Sequence, residues 1–155
     1  MGVGKTTVGT ILAHKTLQNT VFLDGDWCWD SNPFTVTDET KAMVMDNICH
    51  LLQNFLNCSE YQNVVFCWVM HEQAIIDTIL SHLDLRGVRV ISVSLTCTEA
   101  ALRSRLQRDI DEGKRSANVI ARSLERLSCY GTLNTLLIDT TNQSPTTTAE
   151  VLSQL

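Results

Sequence analysis

At 155 residues and 44% hydrophobic, the chain is long enough to bury one real core and too short for two ordinary domains. Its net charge of −5 argues against a bulk polyanion such as nucleic acid as partner, and its longest apolar run, Val64 to Met70, is too short to span a bilayer. Nine of the twelve basic residues fall between Arg86 and Arg126, which suits a small phosphorylated ligand, and the six cysteines form no C-x-x-C pair, as expected for reduced thiols in a cytoplasmic protein.

The first segment, Met1-Gly2-Val3-Gly4-Lys5-Thr6-Thr7, matches the back half of the phosphate-binding pattern G-x-x-x-x-G-K-[ST]. In that pattern backbone N–H groups cradle phosphates, the lysine reaches the terminal phosphates and the hydroxyl holds Mg²⁺. Gly2, Val3, Gly4, Lys5, Thr6 and Thr7 are therefore candidate nucleotide contacts, and Thr6 a candidate metal ligand. A helix follows over about residues 5–18, the context that the motif requires. The letters of Met-Gly-x-x-x-Thr also fit an N-myristoylation signal, but no polybasic stretch or second lipid site accompanies them.

Thr20-Val21-Phe22-Leu23 is a short apolar strand ending at Asp24-Gly25-Asp26. Ligands in open α/β sheets bind at the carboxyl ends of strands, so Asp24 and Asp26 face the same crevice as the phosphate loop. Alternation along an extended chain sends both the same way; one can support Mg²⁺ and its waters, the other can accept a proton from an attacking hydroxyl. Asp-Gly is also a common turn dipeptide. Trp27 and Trp29 are candidates for the wall of an acceptor pocket or for core.

Beyond the loop at residues 30–35, a helix is expected over about 40–57, then a fully apolar strand over Val64 to Met70 with His71 at its end. No acidic residue closes that strand, which leaves the metal to Thr6 and Asp24. A helix over about 73–85 leads to a strand over Val88 to Leu95, and Thr98-Glu99 opens an Arg-rich helix over about 98–112. Arg105 and Arg108 share one face of it, and the break at Gly113 releases Lys114 and Arg115 into a mobile loop. Ion pairs Glu99–Arg103 and Arg108–Glu112 are the alternative use of these charges. A further helix over about 116–130, a strand over Leu133 to Ile138, and a helix opened by Ser144-Pro145 complete the chain. Asp139 closes the last strand as a site residue or a turn residue. Continuous apolar strands imply burial on both faces, hence an α/β three-layer domain with a parallel sheet whose first strand is missing.

Phosphate loop, helix, strand ending in Leu23-Asp24-Gly25-Asp26 and a later Arg-rich helix resemble the small P-loop nucleotide and metabolite kinases, such as shikimate kinase, gluconate kinase, adenylylsulfate kinase and chloramphenicol phosphotransferase. The resemblance covers nearly the whole chain as one domain, residues 1–155. It implies a five-stranded parallel sheet of order 2-3-1-4-5 and transfer of the γ-phosphoryl of ATP to a small hydroxyl, phosphate or sulfate acceptor, a small molecule or a nucleotide. It further implies that Lys5 and Thr6 handle the β/γ-phosphates and Mg²⁺, that Asp24 supports the metal and that Asp26 touches the acceptor as a candidate base. Arg105 and Arg115, on the helix and the lid segment at about 109–117, would stabilise the transferring phosphoryl group. The expected partners are ATP and a small-molecule acceptor; Lys41 is the one cation in the acceptor segment of about residues 27–60, which disfavours anionic acceptors. A nucleotide-binding protein without activity is the competing reading. Because the missing strand is the central one, Met1 is expected to be internal to a longer phosphate loop.

Overall fold

The computed structural model describes residues 2–116 and 118–155. Met1, with which the phosphate loop was read, and Ala117, within the segment read as a lid, lie outside the described residues.

Among the described residues four short strands form two parallel pairs. β1 (Thr20–Asp24) runs beside β2 (Asn63–Cys67), in register from Thr20 with Asn63 to Asp24 with Cys67. β3 (Val93–Thr96) runs beside β4 (Leu136–Asp139), from Val93 with Leu136 to Thr96 with Asp139. Parallel neighbours need long crossovers, and helices supply them. α1 (Lys5–Ile11), continued by a π-helical turn over Leu12–Thr16, precedes β1, and α2 (Asp38–Leu56) joins β1 to β2. α3 (Gln73–Ser81) leads to β3, α4 (Glu99–Asp111) and α5 (Val119–Glu125) join β3 to β4, and α6 (Pro145–Leu152) follows. Among the described residues β2 and β3 are not paired with each other.

Side-chain alternation along β2 divides the core into two layers. Val65 packs with Val8, Leu12, Leu95, Leu102 and Leu106, the contributions of α1, β3 and α4. Val64 and Phe66 pack the other way, with Leu23 of β1, Val44, Ile48 and Leu52 of α2 and Ile79 of α3. Helices on both faces of parallel strands make the three-layer α/β/α arrangement. Thr37, Thr98 and Ser144 cap α2, α4 and α6 by accepting from backbone N–H groups three residues on, which fixes where each helix enters.

Three strand limits differ from the sequence pattern. The run Val64 to Met70 stops pairing at Cys67, and Trp68 turns onto Gly25. Val88 to Leu95 pairs only from Val93: among the described residues Val90 and Ile91 have no neighbouring strand, and both are 45% exposed. The strand at Leu133 starts at Leu136, and Leu136 and Leu137 are 46% and 48% exposed. Burial on both faces thus fails at β4, an edge strand of which only Ile138 joins the core.

Candidate functional site

The phosphate-loop residues fold around two left-handed glycines, Gly2 at φ 78° and Gly4 at φ 93°. A side chain at Gly2 is doubly disfavoured, since its Cβ would lie 2.8 Å from Leu106 Cδ2. Gly4 precedes α1, and its carbonyl accepts from Val8 N–H at 2.8 Å to close the first turn. Val3 points into the core and is 8% exposed, so only its backbone is available to a ligand. Gly2, Gly4, Lys5, Thr6 and Thr7 line one cleft of 270 Å³. Burial holds the Lys5 ammonium below its ordinary pKa, against the opposing pull of Cys67, Asp26 and Asp24; Arg115 adds to the lowering.

β1 delivers Asp24 to the floor of this cleft. Its carboxylate is 5% exposed, accepts from the Thr6 hydroxyl at 2.6 Å and accepts from Asp26 N–H at 3.1 Å. The chain does not continue extended as the alternation argument assumed. It winds into a 3₁₀ turn over Gly25–Trp29, and the Asp24 side chain caps that turn. Asp26 nevertheless lines the same cleft, as an exposed carboxylate. Gly25 is required by packing: a Cβ there would sit 2.5 Å from Trp68 Cγ. Beside Asp24, at its register partner, stands Cys67. Burial, then the charge of Asp24 and a hydrogen bond to it, push the Cys67 thiol up to about 12, while Lys5 and a hydrogen bond with Thr6 act in the other direction.

Three arginines close the cleft from the opposite wall: Arg105, Arg108 and Arg115. Arg105 donates to Thr140 Oγ1 at 3.1 Å, to the Thr140 carbonyl and to the Thr141 carbonyl at 3.3 Å, tying α4 to the segment after β4. Arg115, in the non-helical segment after α4, is ion-paired with Asp109 at 2.9 Å. Lys114 pairs with Glu112, which displaces the expected Arg108–Glu112 pair; Glu99–Arg103 forms at 2.8 Å.

The remaining candidates divide. Trp29 joins the second core layer, whereas Trp27 is 60% exposed and stands edge-on to Phe22 in a neighbouring groove of 630 Å³ with Asp46, Asn47 and His50. His71 contacts Glu72 at 3.3 Å and does not line the cleft. Asp139 accepts from Thr141 N–H and Oγ1 at 2.8 and 2.6 Å, the geometry of a turn residue. Trp68 and Val69 line the cleft although the sequence pattern placed them only in an apolar strand, and Arg108 lines it as its spacing of three from Arg105 signalled. The place of Cys67 beside Asp24 needed the strand register.

No group of three or more His, Cys, Asp or Glu side chains among the described residues is arranged to hold a metal by itself. Thr6 and Asp24 offer one hydroxyl and one carboxylate on a polar floor, the donor set that Mg²⁺ takes when phosphate oxygens and water complete its shell.

A glycine-bent loop running into a helix at the strand ends of a three-layer α/β/α fold defines a nucleotide-binding P-loop protein. The chain belongs to the AAA domain family, whose profile matches residues 1–128. Among solved structures it is similar to the tunicamycin resistance protein of Deinococcus radiodurans, with 20% identity over 99% of this chain and 88% of that one and a TM-score of 0.72. At that identity the likeness establishes the fold. No curated protein matches. Among the described residues no helix is long and apolar enough to cross a membrane.

Proposed function

We propose that the protein is an ATP-dependent phosphotransferase, a cytoplasmic small-molecule kinase acting on a hydroxylated acceptor. The observation that carries this reading is the 2.6 Å hydrogen bond between Thr6 and Asp24, which joins the phosphate loop to the strand-end carboxylate in a cleft that also holds Asp26 and three arginines. In this reading residues 1–155 are one domain, with the segment at about 109–117 as its lid.

The backbone of Gly2 to Thr7 would cradle the phosphates of ATP, and Lys5 would neutralise their terminal oxygens. Thr6 and Asp24 would hold Mg²⁺, which when bound supplies charge neutralisation of the β- and γ-phosphates. Asp26, exposed beside them, would orient the acceptor hydroxyl and take its proton. Arg115 and Arg105 would face the transferred group and the nucleotide, with Arg105 acting also through the Thr140–Thr141 segment it binds. Such chemistry works by positioning and electrostatics, for which fixed cations in a half-enclosed cleft are suited. The acceptor is neutral in this reading, since Lys41 is bound to Asp38 at 3.2 Å and, among the described residues, no lysine or arginine lines the neighbouring Trp27 groove.

That β2 and β3 are not paired with each other among the described residues favours a second reading, a nucleotide-binding protein without transfer activity. Acceptor-dependent ADP release decides between the two, measured with Mg·ATP and a panel of neutral hydroxylated compounds that includes tunicamycin. Turnover abolished by Lys5→Ala and by Asp26→Asn supports the kinase. Nucleotide binding without turnover on any acceptor supports the second reading, and turnover that survives Lys5→Ala refutes the loop mechanism.

A further inference from the structure

One acid, Asp109, lies among the cations of the cleft wall, and the phosphotransfer reading gives it no task. It lines the cleft with Arg105, Arg108 and Arg115. Arg105 and Arg108 share α4 with it, whereas Arg115 comes back to it after the helix has ended. The backbone builds that return. Gly113 takes the left-handed conformation at φ 71°, its N–H donates to the Ile110 carbonyl at 2.9 Å, and Lys114 N–H donates to the Asp109 carbonyl at 2.8 Å. Such a pair of bonds across a left-handed glycine is a Schellman turn, which folds the chain back over the last turn of the helix. Arg115 Nε then donates to Asp109 Oδ2 at 2.9 Å. Asp109 thus receives the returning chain twice, through its carbonyl and through its carboxylate.

We propose that Asp109 is a positioning residue, whose carboxylate holds the Arg115 guanidinium on the cleft wall ready for the terminal phosphate of a nucleoside triphosphate. This rests on the nucleotide reading given above. An unanchored arginine loses much rotamer freedom when it settles on a ligand. One that is already oriented needs little rearrangement as charge develops on the phosphoryl group. A guanidinium carries five N–H donors, so an anchor at Nε does not exhaust its capacity for phosphate oxygens. Both side chains are about a third exposed, Arg115 at 36% and Asp109 at 31%, so the pair adds little to the stability of the fold and its effect lies in orientation. The carboxylate also lowers the net positive charge of the wall. General attraction for anions is thereby weakened, while a ligand whose terminal phosphate reaches Arg115 meets a cation already in place. The consequence is selectivity for a triphosphate over a diphosphate.

Calorimetric titration of ATP and of ADP in Mg²⁺ tests this with the parent, Asp109→Ala, Arg115→Ala and the double variant. The parent is expected to bind ATP more tightly than ADP, and Arg115→Ala to lower that ratio by about tenfold, the scale of one lost hydrogen bond to a charged group. Asp109→Ala is expected to lower the ratio by about threefold to tenfold while leaving ADP affinity within about twofold. The double variant is expected to match Arg115→Ala alone, because a residue that acts through Arg115 has no effect once Arg115 is gone. A merely structural Asp109 would change ATP and ADP affinities alike, and its effect would persist in the Arg115→Ala background; either result overturns the proposal. Tighter ATP binding by Asp109→Ala, with the ratio unchanged or raised, would make the carboxylate a competing anion and overturn it as well. A parent that binds ATP and ADP equally refutes the placement of Arg115, and the proposal with it, but leaves the nucleotide reading standing. A folded parent that binds neither nucleotide refutes both. Should Asp109→Ala not fold, Asp109→Asn, which keeps the shape without the charge, decides the matter: a lowered ratio supports the proposal and an unchanged one overturns it.

Discussion

Replacing Thr6 by valine removes one hydroxyl from the floor of the cleft while nearly preserving its shape. Asp24, 5% exposed, loses its shortest hydrogen bond and keeps the one from Asp26 N–H. A net hydrogen bond to a charged group is worth about 1.5–3 kcal/mol, and water cannot readily replace this one at so buried an oxygen. For a chain of this size about 1 kcal/mol moves the melting temperature by roughly 2–4 °C, so Thr6→Val is expected to melt about 3–12 °C lower. The measurement is a double-mutant cycle of Thr6→Val and Asp24→Ala by urea unfolding, in EDTA so that no cation substitutes for the lost donor. The coupling energy is expected at about 1.5–3 kcal/mol, and Thr6→Ser is expected to retain most of the parent stability. Single effects that add within about 0.5 kcal/mol would refute the claim that this bond joins loop to strand.

Gly25→Ala forces a Cβ to 2.5 Å from Trp68 Cγ, atoms too close to the backbone to swing aside, and is expected to cost about 1–3 kcal/mol with a changed near-ultraviolet tryptophan signal. Arg105→Lys loses the planar fork that spans the Thr140 and Thr141 carbonyls; faster hydrogen exchange over residues 140–143, read by mass spectrometry, is the expected result. The Cys67 thiol, raised from 9.0 to about 12, keeps its proton in the folded state where the unfolded chain releases it. Its stabilising contribution is therefore whole below pH 9 and lost as pH rises toward 12. The stability difference between parent and Cys67→Ser, followed by urea unfolding across alkaline pH, is expected to shrink in that window, while a constant difference would contradict the assignment.

The loop, the order of helices and strands and the crevice shared by Asp24 and Asp26 were legible because each depends on local spacing. Gly4 and Lys5 stand directly before and within a helix, and Asp24 stands where an apolar run stops. Strand limits were not legible in the same way. Hydrophobic runs report what is apolar, whereas pairing decides what is strand, so Val90 and Ile91 read as strand although no neighbour bonds to them. The same limit hid Cys67, which matters only through its register with Asp24, 43 residues earlier in sequence. Arg105 showed its charge but not its partners, since Thr140 and Thr141 lie 35 and 36 positions further on. Ion-pair choice among neighbouring charges was also beyond spacing rules: Glu112 was in reach of both Arg108 and Lys114, and it took the lysine.

Phosphorus NMR of ATP titrated with the protein in Mg²⁺ bears most directly on the assignment of the cleft. The β- and γ-phosphate resonances should shift and broaden with the parent protein, and Lys5→Ala, folded by the same melting criterion, should leave them at their free positions. Unchanged β- and γ-resonances with the folded parent, or identical shifts with Lys5→Ala, would contradict the placement of the nucleotide phosphates in the loop of Gly2 to Thr7.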